Sequence, residues 1–160
     1  MADQTLGAAL EREHREIDGD VEKFVTAIGA GETRIDALGR AMVSLRRHIY
    51  LEEEFLFPPL KAAGMMGPVM VMLKEHGQMW QTMADLDVRL AELDGGDATA
   101  VETLCRELVG ELQEHNGKEE LILYPQADAV LDVEASADLE DFLAGGTMPE
   151  GWAATMARRG

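Results

Sequence analysis

The stretch His48-Ile49-Tyr50-Leu51-Glu52-Glu53-Glu54-Phe55-Leu56-Phe57-Pro58 recurs in outline as His115-Asn116-Gly117-Lys118-Glu119-Glu120-Leu121-Ile122-Leu123-Tyr124-Pro125. Both copies read His-x3-Glu-Glu and close on an aromatic residue and a proline. An acid–histidine pair precedes each, Glu13-His14 before the first and Glu75-His76 before the second. The repeat uses all four histidines of the chain. Residues four apart on a helix share a face, one turn apart. His48 and Glu52 therefore point the same way, and so do His115 and Glu119. A repeated helix pair, each half giving two imidazoles and a carboxylate, is what a two-metal site in a four-helix bundle requires.

Periodicity supports such a bundle on both sides of the repeat. Leu6, Leu10, His14, Ile17, Val21, Phe24 and Ile28 recur at steps of three and four, predicting a helix over about 5–28 that ends at Gly29 and Gly31. A second helix starts at Thr33, with Asp36 placed as in a capping box. Its stripe is Leu38, Ala41, Met42, Leu45, His48, Glu52, Phe55 and Leu56, and it closes at Gly64. Pro58 and Pro125 are expected to kink or end their helices just beyond the carboxylates. A third helix opens at Gly67-Pro68 and carries Val69, Met72, Leu73, His76, Met79, Met83, Leu86 and Leu90 inward. After Gly95-Gly96 a fourth, capped by Asp97 or Thr99, buries Val101, Leu104, Cys105, Leu108, Leu112, His115, Glu119, Ile122 and Leu123. A short fifth helix covers about 134–143, and the tail reads as irregular or one loose turn, with Trp152 placed to pin it to the bundle. Short connections predict an all-α fold with antiparallel, up-down-up-down helices. One domain spans 1–160, with the bundle over about 5–128 and a C-terminal extension over about 129–160.

Composition fits this and excludes other classes. At 160 residues, with 46% hydrophobic and 28% charged residues, the chain is long enough for one core and too apolar to be disordered. A net charge of −17 repels phosphates, so neither nucleic acid nor an anionic membrane is an expected partner. No apolar run approaches a membrane span. The start, Met1-Ala2-Asp3-Gln4, lacks the features of a signal peptide. Cys105 is the sole cysteine, which fits a reducing compartment. Together these predict a cytoplasmic protein.

Helix rise puts the ligand-type residues at one height. His14 and His76 lie on the order of 15 Å from the bundle end that holds the starts of the first and third helices, and His48 and His115 on the order of 17–20 Å. Glu52 and Glu119 fall about one turn below their histidines. Six donors thus aim at one layer of the core. Burying such groups unpaired is costly, and metal cations remove that cost. Carboxylates neutralise and bridge the cations, while neutral imidazoles fill terminal positions. Two histidines per ion plus two shared carboxylates give each ion four protein donors and leave room for a bridging oxide or hydroxide and an exogenous molecule. Imidazole with carboxylate and no cysteine suits iron or manganese and is compatible with zinc.

The pattern His14, His48-x3-Glu52, His76, His115-x3-Glu119 resembles the hemerythrin-like family, including its HHE cation-binding members. The resemblance covers nearly all of residues 5–128. It implies a non-haem di-iron centre, with His14, His48, His76 and His115 as terminal ligands and Glu52 and Glu119 as bridges. Oxygen-carrying hemerythrins place a His-x3-His pair in the third helix. Here Met72 precedes His76 by four and Trp80 follows it by four, so a fifth imidazole is absent. The more symmetric ligand set is similar to that of di-iron proteins linked to nitric oxide stress and the repair of iron centres. Those proteins carry a further histidine late in helix one that this sequence lacks, so the resemblance reaches the di-iron ligands and no further. Binding of oxygen or nitric oxide, for sensing, binding or stress response, is the leading expectation for such a centre. The same centre also fits an oxidoreductase acting on nitric oxide or peroxide, or an iron storage or delivery protein. An electron donor or an iron acceptor protein would be its partner.

Other residues are open to more than one reading. Asp18, four after His14, is a further ligand or imidazole acceptor, or else a solvent-facing acid. Glu53 and Glu120 are turned about 100° from the bridging positions and are expected on a solvated or interface face. Tyr50 and Tyr124 can act near the metals, but packing is the stronger reading, because Tyr124 aligns with Phe57 of the other half. Trp80 is placed to wall the pocket. Met70, Met72, Met79 and Met83 read as core filler, and Cys105 as buried packing.

Overall fold

A computed structural model describes residues 5–30, 35–93 and 98–157. Among them the chain is helical, with no strand. Helix α1 spans Leu6–Gly29 and α2 spans Ile35–Leu51. A π-helical turn, Glu52–Leu56, carries α2 directly into α3, Phe57–Ala62. Helix α4 spans Met66–Ala91 and α5 spans Thr99–Lys118. A second π turn, Glu119–Leu123, carries α5 into α6, Tyr124–Val130, and α7 spans Val133–Gly145.

The stripes read from periodicity become the core. Each long helix carries one buried histidine within its apolar stripe, and α4 and α5 also bury Thr82 and Asn116. Leu6 and Leu10 of α1 join Leu56, Leu60, Val69, Met72, Leu73 and Leu123 in one buried cluster. Ile17, Val21 and Phe24 join Leu38, Leu45, Met79, Met83, Leu86, Cys105, Leu108 and Leu112 in another. Between the two clusters lie His14, His48, His76 and His115, all buried. The histidine layer is thus closed above and below by apolar side chains, which lowers its effective dielectric and strengthens every polar contact within it.

Local chemistry sets several boundaries. Thr5 Oγ1 accepts from the Ala8 N–H at 3.1 Å, and Asp128 of α6 accepts from the Leu6 N–H at 2.8 Å, so two residues supply the acceptors that the start of α1 lacks. Gly7 lets α1 close on α6: a Cβ there would sit 3.1 Å from the Tyr124 carbonyl oxygen. Gly64, at φ +94°, supplies the left-handed residue that turns the chain after α3. Asp132 caps α7 by accepting from the Ala135 N–H.

Four expectations change. The prolines neither end nor break their helices. In each half a π turn opens just before the proline, with Phe57 N–H donating to the Glu52 carbonyl and Tyr124 N–H to the Glu119 carbonyl. Pro58 and Pro125 then fall in the first turn of α3 and α6, where a missing N–H costs nothing. Helix α4 starts one residue earlier than expected, at Met66, which moves Pro68 to its third position. Ala98 occupies the N-cap of α5, so Thr99 is the first helical residue rather than the cap. Ile122 is 46% exposed, because the π turn rotates it off the stripe while Leu123 stays buried. Gly31, Thr33, Gly95-Gly96 and Asp97 lie outside the described residues.

The tail after α7 is irregular with short turns, as expected, and is pinned to the bundle. Trp152 meets Tyr50 and Trp80 edge-on at 5.1 and 5.4 Å, and Ala154 is fully buried. Arg47 ties α7 to α2 by donating to the carbonyls of Gly146, Leu143 and Phe142.

Candidate metal centre

Six side chains meet in the buried layer. His14, His48, Glu52 and Glu119 form one group of donors and Glu52, His76, His115 and Glu119 a second, with all ligand atoms of a group within 4.8 Å of one another. The two carboxylates are common to both groups. Glu52 divides its oxygens between them: Oε1 lies 3.0 Å from His76 Nε2 and Oε2 lies 3.3 Å from His48 Nε2. Glu119 Oε1 lies 3.1 Å from His14 Nε2 and 3.0 Å from His115 Nε2. Glu119 Oε2 is buried and has no hydrogen-bond partner. A buried carboxylate oxygen with nothing to accept from is costly, and a cation is the partner its chemistry suits.

The far nitrogens of the rings are held as well. Glu13 accepts from His48 Nδ1 at 2.8 Å, Glu53 from His76 Nδ1 at 2.9 Å, and Glu75 from His115 Nδ1 at 3.0 Å. Such carboxylate–imidazole pairs fix ring orientation and raise ligand basicity at metal sites. The fourth ring differs. His14 Nδ1 lies 3.8 Å from Glu120, beyond hydrogen-bond range, and has no partner. Glu13 is backed by Arg47 at 3.7 Å, and Glu75 by Lys118. Glu53 Oε1 accepts from the Thr155 N–H and hydroxyl at 3.0 and 2.9 Å, which joins the C-terminal tail to His76.

Without a cation these contacts favour protons. Burial lowers the pKa of His48, but the Glu52 and Glu13 carboxylates outweigh it and leave the ring well above its ordinary value. His76 is raised the same way by Glu52 and Glu53. His115 is raised to about 10, since Glu119 and Glu75 overcome its burial. Glu75 is lowered to about 2 by its hydrogen bond to His115 and by Lys118. A carboxylate-rich pocket that draws protons onto imidazoles draws metal cations for the same electrostatic reason.

The profile of the hemerythrin HHE cation binding domain matches residues 5–127. The chain belongs to the hemerythrin HHE cation-binding family. No curated protein and no solved structure gives a match. In this hemerythrin-like chain the buried histidines and glutamates form groups able to hold metal, and the family's typical metal is iron. Among the described residues no helix is long and apolar enough to cross a membrane.

Several residues stand elsewhere than expected. Glu53 takes the interface position of the two expected: it is buried and holds His76 of α4. Its π turn rotates successive residues by less than the α-helical 100°, so Glu52 and Glu53 both reach inward. Glu120, 35% exposed, keeps the rim position. Tyr124 is not simply packing. Its hydroxyl lies 2.6 Å from His14 Nε2 and donates to Glu52 Oε2 at 2.6 Å. Tyr50 instead packs on Phe55, Phe142 and Trp152. Trp80 lies against Trp152 and under the Arg46 guanidinium. Asp18 accepts from the Asn116 amide at 3.2 Å and belongs to neither donor group. Met72, Met79 and Met83 are core, while Met70 is 41% exposed. Cys105 is fully buried, and burial pushes its thiol up to about 12, so it is not a nucleophile. Of the acids behind the rings, the sequence marks Glu13 and Glu75 only as neighbours of the histidines, and Glu53 is expected on a solvated or interface face. Their signal was present in the repeat: each half carries an acid just before its first histidine and a doubled acid after its second.

Proposed function

We propose that this chain is a non-haem di-iron protein that binds a small diatomic ligand, oxygen or nitric oxide. Its bundle runs up-down-up-down as a single domain. The observation that carries this reading is the sharing of Glu52 and Glu119 between two buried imidazole pairs. In this reading His14 and His48 would hold one ion and His76 and His115 the other, with Glu52 and Glu119 serving both. Iron supplies an open coordination position and one-electron redox chemistry when bound.

The protein's own residues do the rest. Glu13, Glu53 and Glu75 present three Nε2 atoms toward the centre and keep those rings from turning. The apolar clusters on either side exclude bulk water. Glu52, His76 and Glu119 are completely buried, which limits what can enter to small molecules. The same burial and anchoring favour retention of metal over its delivery to another protein. Retention also fits binding or sensing in the cytoplasm, with an electron donor protein resetting the oxidation state.

The test is spectroscopic. Anaerobic protein loaded with ferrous iron is exposed to oxygen or to nitric oxide, and its visible spectrum is followed. Binding predicts a stoichiometric spectral change that reverses when the gas is removed. Continuous consumption of nitric oxide or peroxide in the presence of an electron donor would make the chain an oxidoreductase instead.

A further inference from the structure

The two halves of the centre are not equivalent, and one difference is a single oxygen atom inside the donor layer. Tyr124 is buried, and its Oη lies 2.6 Å from His14 Nε2, 3.1 Å from His48 Nε2, 2.6 Å from Glu52 Oε2 and 3.4 Å from Glu119 Oε1. Those atoms represent every residue of the first donor group. A phenol has one proton to give and two lone pairs, so it cannot satisfy four partners at once. It can, however, join them around a cation. Nitrogen and oxygen donors sit about 2.0–2.2 Å from a divalent first-row metal. Two donors at right angles on such an ion are then about 3 Å apart, by the same bond lengths. An oxygen adjacent to all four donors of the group would show four separations near that value, as Oη does.

The other half offers no counterpart. Phe57 holds the matching place, five residues after Glu52 as Tyr124 is five after Glu119. Its ring stacks on His76 at 5.4 Å and 19° and brings no donor atom.

Resting on the di-iron reading, we infer that Tyr124 is a fifth protein donor to the ion held by His14 and His48, and that exogenous ligand binds the ion held by His76 and His115, beneath Phe57. Tyr124 binds as phenolate. Its O–H bond breaks as the oxygen–metal bond forms, the proton leaves to solvent, and no oxidation state changes. The tyrosine thus closes one ion and leaves the other open.

Resonance Raman spectroscopy of the ferric wild-type protein tests this without reference to turnover. Visible excitation should enhance phenolate ring modes, accompanied by a phenolate-to-iron absorption band. Both should vanish in Tyr124→Phe when the spectra are scaled to the iron each protein holds. Azide, used as the exogenous probe, should bind one ion of the wild type. Its uptake per bound iron pair should roughly double in Tyr124→Phe, as a second position opens. Phe57→Tyr should add phenolate intensity and suppress azide uptake. Iron-loaded wild type without phenolate modes would overturn the inference and leave the di-iron reading standing. Wild type that binds no iron pair would overturn both. The wild-type spectrum decides the matter even if a variant fails to fold.

Discussion

Glu52→Ala should abolish binding of the metal pair while leaving the helices in place. Only loss of Glu119, the other carboxylate common to both donor groups, would remove as much of the centre. Glu52 is fully buried and contributes a different oxygen to each imidazole pair. Deleting its carboxylate removes a donor from both groups and half of the negative charge that the groups share. Loss of an outer partner such as Glu13 typically costs about 10–100-fold in metal affinity. Glu52→Ala should exceed that range and give chains that no longer retain iron through desalting, whereas Glu13→Gln should retain it with weakened affinity. Circular dichroism separates this from unfolding. The apolar clusters above and below the layer are untouched, so helical signal should persist. Iron retained at wild-type stoichiometry by Glu52→Ala would contradict the assignment.

Stripping the metal should lower the melting temperature by roughly 8–16 °C. A ligand bound only by the folded chain stabilises it by about 4 kcal/mol at a thousandfold excess over its dissociation constant. In a domain of this size each kcal/mol moves the midpoint by about 2–4 °C. The gap should depend on pH in a definite direction. In the metal-free fold His115 titrates near 10, against an ordinary 6.5. Its proton-bearing form therefore stabilises the metal-free fold fully below pH 6.5, and that contribution fades as pH rises through about 10. Metal must displace this proton, and those on His48 and His76, so its affinity falls as pH falls. This proton displacement widens the gap between loaded and stripped protein on going from pH 6 to pH 9. Differential scanning calorimetry across that range checks the sign. A gap that narrows with rising pH would be inconsistent with imidazole ligation.

What the sequence revealed and what it hid have one physical cause. The six donors were legible because His48–Glu52 and His115–Glu119 span α-helical turns, where a step of four keeps two residues on one face. They were also conspicuous as polar interruptions of apolar stripes. The sharing of carboxylates followed from that geometry and from charge. Glu53 and Tyr124 were hidden because both lie within or just after a π turn. Under α-helical spacing a step of five rotates a residue by about 140°, which would carry Tyr124 away from Glu119. A π turn closes between positions five apart, and so returns Tyr124 to the Glu119 face and Phe57 to that of Glu52. The clue was the proline six residues after each carboxylate, repeated in both halves. The proline ring's conflict with the preceding turn was read as a kink, whereas the chain resolves it by widening one turn. The tail's hold on Glu53 through Thr155 depends on long-range packing that no local pattern encodes.

Anomalous diffraction from crystals of the iron-loaded chain, recorded across the iron absorption edge, tests the central claim most directly. The account predicts a pair of peaks inside the histidine layer, one bonded to His14 and His48, the other to His76 and His115, with Glu52 and Glu119 between them. A lone peak outside that layer, or iron bound only by surface carboxylates, would contradict it.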